Sequence, residues 1–267
     1  MELGLKDKVV LVTGASKGIG KAIAAAFAAE ASKVAIAARG RDELQRAASE
    51  IAAHSGAEVM SVAADLSKAD DITRMIKEVV ERFGTVHVLV NNAGGVGAFA
   101  PFEKLTDEDW VDVLNFNVLS AVRATRAVLP YMQKQKWGRI INISSESGTQ
   151  PDAFMPHYNA SKAALNNLSK SLSKAYAADG ILVNTVSPAF IMTPLVSDML
   201  QKMAAEQGVS QQEATAQFLA TNRPHIELKR PGDSKEVASA VVFLASERAS
   251  FITGTNLRVD GGSVASI

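Results

Sequence analysis

Val9-Val10-Leu11-Val12-Thr13-Gly14-Ala15-Ser16-Lys17-Gly18-Ile19-Gly20 is the stretch that decides the fold. Its first four residues are apolar and mostly β-branched. The run is too short to span a bilayer and lacks signal-peptide flanks, so it suits a buried strand. It leads straight into a glycine loop, and an alanine-rich helix through Phe27 follows. Glycine lets the chain turn tightly and lets backbone amides approach a ligand, while a helix start supplies partial positive charge. Strand, glycine loop and helix in that order can cradle a pyrophosphate. The spacing is G-x-x-x-G-x-G, not the common G-x-G-x-x-G, and the Gly-Lys-Ser/Thr ending of a P-loop is missing. A loop that merely packs a helix would read the same way in isolation.

Working outward, the same alternation recurs. Strands are predicted at Lys8 to Thr13, Lys33 to Ala38, Glu58 to Ala63, Val86 to Asn91, Arg139 to Ile143, Leu182 to Val186 and Asn256 to Val259. They are apolar nearly throughout, as parallel strands covered on both faces should be. Helical patterns separate them. Ser67 with Asp70, and Thr106 with Asp109, have capping-box spacing, and Asp233 is placed to cap a helix through Val237, Val241 and Leu244. No linker, low-complexity tract or solenoid repeat interrupts the pattern. The fold class is therefore α/β: a single doubly wound, Rossmann-like domain over residues 1–267 with a seven-stranded parallel sheet.

Met192 to Gly232 breaks the rhythm, being polar, helical and without a predicted strand. An insertion on the C-terminal side of the strands would overhang the crevice where such sheets bind ligands, so we read it as a lid. A dimer-forming arm is the alternative. Its apolar stripe, Leu195, Met199 and Met203, is expected to pack against the domain rather than line a substrate channel.

Composition narrows the function. With 267 residues, 47% of them apolar, the chain has material for one large core. Lys plus Arg and Asp plus Glu are equal at 28 each, so no broad basic face for nucleic acid is implied. Cysteine is absent, which excludes disulfides, thiolate nucleophiles and thiolate-bound metals and suggests the cytoplasm. No apolar run is long enough for a membrane helix. His54, His87, His157 and His225 have no metal-ligand spacing, so no metal is expected, and Ser145 lacks the G-x-S-x-G turn of a hydrolase.

The end of the second strand bears on cofactor choice. Ala37-Ala38-Arg39-Gly40-Arg41 offers no acid until Asp42, whereas an NAD site wants a carboxylate for the ribose hydroxyls. Arg39, with Lys17 in the loop, can instead take a ribose 2′-phosphate, which points to NADP(H). Asn91-Asn92-Ala93-Gly94-Gly95 closes the fourth strand with small and polar residues; it either approaches the cofactor or is only a turn. Tyr158 and Lys162 share one face of a helix predicted to end near Ala178. An ammonium ~5 Å away would favour the phenolate by roughly 3 kcal/mol at an effective dielectric near 20, about two pKa units.

The glycine loop Thr13 to Gly20, Asn91 to Gly94, Ser144-Ser145 after the fifth strand, and Tyr158 with Lys162 have the order and spacing of the short-chain dehydrogenase/reductase family. From Leu5 to Gly262 the chain resembles that family, most of all bacterial 3-oxoacyl-carrier-protein reductases and related ketone reductases. The resemblance implies strand order 3-2-1-4-5-6-7 and a homotetramer built partly on the helices of Asn117 and Tyr158. It makes Tyr158 the general acid/base and Ser145, rather than Ser144, the partner of the substrate oxygen. Lys162 would bind the nicotinamide ribose, and Asn117, rather than Asn115, would hold a proton-relay water. The cofactor would meet Gly14, Ser16, Lys17, Gly18, Ile19, Gly20, Arg39, Asp65, Leu66, Asn92, Ala93, Gly94, Tyr158, Lys162, Pro188, Ile191 and Thr193. Ala189 stands where the family usually has glycine after that proline. Val96, Phe154, His157 and Phe190 are the substrate candidates. The implied activity is NADP(H)-dependent reduction of a ketone, a 3-oxoacyl thioester first, with a carrier-bound acyl chain docking near Lys134, Lys136 and Arg139. A secondary-alcohol or hydroxysteroid dehydrogenase is the alternative, and a cofactor-sensing protein without catalysis the other.

Overall fold

A computed structural model describes residues 2–266. Strand β1 (Val9–Thr13) is buried at every position, as its composition predicts. The same sheet holds β2 (Lys33–Ala38), β3 (Val59–Ala63), β4 (Val88–Asn91), β5 (Gly138–Ile143), β6 (Ile181–Pro188) and β9 (Asn256–Val259), with β2 and β4 flanking β1. They form one parallel seven-stranded sheet in the order β3-β2-β1-β4-β5-β6-β9. This is the expected Rossmann order, the last strand taking a higher number only because two very short strands precede it.

The period-2 alternation of strand side chains divides the apolar residues between two cores. Val10 and Val12 face the layer of α1 (Gly18–Ala29), α2 (Arg41–Ser55) and α9 (Ser234–Ala245), where Phe27, Leu44 and Val241 are buried. Val9 and Leu11 face the layer of α3 (Ala69–Phe83) and α5 (Ser120–Gln135), against Met75, Val128 and Met132. On this second face, α4 (Asp107–Leu114) runs through a π turn at Asn115–Leu119 into α5, and α6 (Pro156–Tyr176) lies alongside.

Two capping expectations hold and one does not. Thr106 and Asp109 form a reciprocal box at α4, and Asp233 with Glu236 forms one at α9. Ser67 caps nothing: α3 begins beyond Lys68, and the Ser67 hydroxyl instead donates to Asp65 Oδ1 at 2.7 Å. That local side-chain bond turns Ser67 back toward Asp65, and the helix start falls one residue later.

The insertion is helical, α7 (Pro194–Gln207) and α8 (Gln211–Asn222), but it is not strand-free. Its two ends pair as β7 (Ile191–Met192) and β8 (Gly232–Asp233), a neck too short to leave a sequence signal. Leu195 and Met199 do not pack into the domain either; α7 buries Leu200 and Ala204 and leaves Leu195 and Met199 open.

The N-terminal edge of the sheet carries a separate cluster. Trp137 lies under Lys8 and Arg139, with their charged groups 4.1 and 4.2 Å from its ring centroid. Arg139 is buried, and 3.7 Å separates its guanidinium from the Glu247 carboxylate. It is therefore no surface cation for an acidic carrier, and Lys136, which caps α5 just before β5, marks the sheet end opposite the glycine loop. In the same cluster His87 Nδ1 accepts a 2.9 Å hydrogen bond from the Val9 amide. Burial and the Lys8 charge pull His87 down from 6.5 to about 4. The unfolded chain thus binds the extra proton first, and stability falls as pH drops from 6.5 toward 4. We expect His87→Asn, which keeps an acceptor and loses the titration, to show a shallower fall of Tm over that range; identical slopes would contradict it.

Candidate active site

Thr13, at the end of β1, ties two loops together. Its hydroxyl donates to Val90 O at 3.2 Å and accepts from the Asn92 and Ala93 amides at 3.0 and 3.1 Å. Asn92 answers by donating its side-chain amide to Thr13 O and Gly14 O at 2.9 and 3.0 Å. A Cβ on Gly20 would strike Gly14 O and Asn92 Nδ2, so only glycine lets α1 start this close to β4. The start of α1 has no side-chain cap and no acid in its first turn, so its amides stay open to an anion.

Above this seam lies a cavity of about 470 Å³. Of the cofactor candidates, Gly14, Ser16, Lys17, Gly18, Ile19, Gly20, Arg39, Leu66, Asn92, Ala93, Gly94 and Thr193 line it. Asp65, Pro188 and Ile191 do not. Asp65 is engaged by Ser67, Pro188 ends β6, and the Ile191 side chain belongs to the core. Seven lining residues were not among the cofactor candidates, and two of them bring chemistry of their own. Phe116 adjoins the asparagine motif, and Arg39 lies 5.8 Å from its ring. Glu43, in the first turn of α2, turns back to accept from Ser16 Oγ at 3.1 Å and stands 3.6 Å from Lys17 Nζ. An acid therefore does reach this end of the cavity, from one residue beyond Asp42.

Beside the cavity, α6 brings Tyr158 and Lys162 against β5. Lys162 is buried and donates to Ile143 O at 2.9 Å, with Nζ 5.6 Å from the centre of the Tyr158 ring. Burial pulls Lys162 down to about 8. Burial also pushes the Tyr158 phenol up, Glu146 adds to that, and the neighbouring Ser145 hydroxyl opposes it. The expected phenolate-favouring pull of the lysine is therefore outweighed here, because desolvation penalises both charged forms. Ser145 Oγ is held by the Ser147 amide at 3.1 Å, whereas Ser144 points away and donates to Lys162 O at 3.2 Å.

The two asparagines separate as clearly. Asn117 lies in the π turn, a helix distortion common at functional sites. Its Nδ2 donates to Gly95 O at 3.0 Å and Ser161 Oγ at 2.9 Å, while Oδ1 accepts from the Gly95 amide at 2.9 Å. Gly94 lies against it: a Cβ there would fall 2.9 Å from Asn117 Oδ1 and 3.4 Å from Lys162 Nζ. Asn115 instead faces Ser67 and Arg123.

A second cavity, of about 800 Å³, opens between this cluster and the insertion. Val96, Phe154 and Phe190 line it, and Met199 faces it from α7, while Leu195 lines the first cavity. His157 does not reach it. That ring is fully buried 6.0 Å from Trp110, with neither nitrogen hydrogen-bonded among the described residues.

A dinucleotide-type cradle beside a half-buried tyrosine and a buried lysine, on a Rossmann-ordered sheet, defines an oxidoreductase scaffold. The chain belongs to the short chain dehydrogenase family, whose model matches residues 8–204. It is 37% identical over 267 residues to the uncharacterized oxidoreductase YvrD of Bacillus subtilis, covering 100% of both chains. It is 37% identical over 260 residues to a 3-oxoacyl-acyl-carrier-protein reductase, FabG, of Staphylococcus epidermidis, covering 96% of this chain and 98% of that one. Among solved structures, L-sorbose reductase from Gluconobacter frateurii, complexed with NADPH and L-sorbose, superposes with a TM-score of 0.95 at 33% identity and full coverage of both chains.

Asn117 bridges the Gly95 loop and α6, so its loss should be felt in stability. We expect Asn117→Ala to lower the unfolding free energy by about 3 kcal/mol, and Asn115→Ala by about 1 kcal/mol, in urea denaturation. Equal losses would show that the bridge is not special.

Proposed function

We propose that this protein reduces a ketone to a secondary alcohol with NADPH. The observation that carries the proposal is the pairing of the Tyr158 phenol, with Ser145 beside it, and the buried Lys162 at the edge of the cradle. The open amides of α1, the close approach at Gly20 and the cations Lys17 and Arg39 fit a phosphorylated dinucleotide. When bound, the nicotinamide supplies the hydride.

The chain's own residues do the rest. Ser145 donates to the carbonyl oxygen through a hydroxyl whose oxygen is already fixed by the Ser147 amide. Tyr158, kept neutral by burial, hands its proton to that oxygen as negative charge develops. Lys162 then steadies the phenol oxygen and holds the nicotinamide ribose. Both Nδ2 hydrogens of Asn117 are engaged and Oδ1 already accepts one bond, so a relay water it holds donates to its backbone carbonyl or to the remaining Oδ1 lone pair. Lys17 and Arg39 take the 2′-phosphate, with Lys17 released from Glu43. Pro188, Ile191 and Asp65 contribute through backbone.

Two substrate classes have support. The thioester reading draws on the reductase of Staphylococcus epidermidis. A smaller, polar ketone is favoured by the mixed lining of the second cavity, which includes Glu146, Gln150 and Asn222, and by the sorbose reductase likeness. We also propose a homotetramer, supported by the exposed Val111 and Leu119 along the segment that carries Asn117; a monomer mass by light scattering would contradict it.

Kinetics with an acetoacetyl thioester, simple ketones and hydroxyketones test the reading. Tyr158→Phe is expected to bind NADPH nearly as the parent does and to lose about 10²- to 10⁴-fold in kcat. Activity within a few-fold of the parent would remove Tyr158 from the mechanism. Arg39→Ala should raise the KM for NADPH about tenfold while barely moving that for NADH; a parent that prefers NADH would overturn the cofactor assignment.

A further inference from the structure

The residue after Ser145 has no place in the mechanism above and is unusual for where it lies. Glu146 is a carboxylate with 9% of its surface exposed, on the wall of the 800 Å³ cavity. Among the described residues its Oε2 is buried and has no hydrogen-bond partner. Its Oε1 lies 3.9 Å from Arg223 Nε, an ion-pair distance too long for a hydrogen bond. Arg223, which follows α8 of the insertion, makes its close contacts elsewhere, to Asp152 Oδ2 at 3.0 Å and to Asn222 O at 2.7 Å. One guanidinium is thus shared between two carboxylates, and Glu146 Oε2 lacks a hydrogen bond in place although the Ser263 hydroxyl lies close to the carboxyl.

Buried acceptors are almost always satisfied, and one that is not is expected to find its donor in a ligand or an ordered water. The chemistry of that donor is narrowed by the surroundings. Arg223 already sits beside the carboxylate, so a second cation would meet like charge at close range. A neutral hydroxyl is not repelled. Position narrows it further: Glu146 is near enough to Tyr158 for its charge to push the phenol up, and it lines the second cavity. A substrate whose carbonyl meets Tyr158 and extends into that cavity therefore brings its neighbouring carbons toward Glu146. The rest of the wall agrees, with Gln150, Thr221 and Asn222 offering polar groups and Phe154 and Phe190 offering apolar faces.

We infer that Glu146 is a specificity-determining residue that accepts a hydrogen bond from a substrate hydroxyl close to the reacting carbonyl, so that the enzyme selects hydroxylated ketones over alkyl ketones. Burial pushes the Glu146 carboxyl up from its ordinary range, against the Ser263 hydroxyl and the Arg223 charge, which pull it down. This cost of an unpaired buried carboxylate is relieved when a hydroxyl donates to it, and an alkyl ketone leaves it in place. A site built to bond a hydroxyl rejects the analogue lacking it more strongly than an apolar pocket rejects an extra group.

The inference rests on the ketone-reductase reading, and one experiment separates the two. NADPH oxidation is followed with a four-carbon hydroxyketone and the alkyl ketone of the same carbon chain, for the parent and for Glu146→Gln. The parent should favour the hydroxyketone at least tenfold in kcat/KM, and Glu146→Gln should shrink that preference at least tenfold, chiefly through KM. Because the readout is a ratio, any change in Tyr158 acidity cancels. Glu146→Asp, which keeps the carboxylate and shortens its reach, should fall between the two, and circular dichroism of both variants checks that they fold. A preference unchanged by Glu146→Gln, or a parent that does not prefer the hydroxyketone, overturns the role of Glu146 and leaves the reductase reading intact. A parent that oxidises NADPH with neither ketone nor with the thioester overturns both.

Discussion

The rest of the site depends on a seam of hydrogen bonds between the ends of β1 and β4. Parallel strands end with carbonyls and amides that have lost their ladder partners, and here that edge is also where a ligand must fit. Thr13 and Asn92 meet the demand with side chains: one hydroxyl serves Val90 O and two amides, and one carboxamide serves two carbonyls of the glycine loop. The glycine loop is thereby held against the Asn92–Gly94 turn. That turn in turn meets Asn117 through Gly95, and Asn117 meets Ser161 on the helix of Tyr158 and Lys162. The cradle and the reacting groups are thus one hydrogen-bonded chain on rigid elements.

Desolvation is the second organising force. Lys162, Tyr158 and Glu146 are all drawn toward their neutral forms by burial. For the proposed reduction this suits Tyr158, since a neutral phenol is the proton donor. For Glu146 it leaves a carboxyl group with an unmet acceptor, which is why the proposed selectivity falls there. The insertion completes this environment: its neck pairs at Ile191–Met192 with Gly232–Asp233, and it brings Met199 and Arg223 over the second cavity.

Much of the fold was legible because it is written in local patterns. Apolar β-branched runs give the seven strands, and Gly14 to Gly20 give the cradle. Tyr158 and Lys162 sit four apart on one helix face. The misreadings have a common cause. Ser67 looked like a cap, but its hydroxyl donates to Asp65 and α3 starts after Lys68. Arg139 looked like a surface cation, yet Trp137 and Glu247 enclose it. Leu195 and Met199 looked like a packing stripe, while α7 turns Leu200 and Ala204 inward instead. His157 adjoins Tyr158 in sequence, but a helix sends consecutive residues to different faces.

By itself, then, the sequence determined the class of fold, the strand that opens it, the glycine cradle and the spacing of the reacting pair, because each is a matter of local periodicity or of a residue's own conformational freedom. Only the tertiary structure decided that Asn117 bridges Gly95 and Ser161, that Glu43 reaches back to Lys17, and that Glu146 is buried on the wall of the second cavity with an oxygen unpaired. Those outcomes depend on contacts between segments far apart in the chain and on how much water each group loses, and neither quantity is carried by any short stretch of residues.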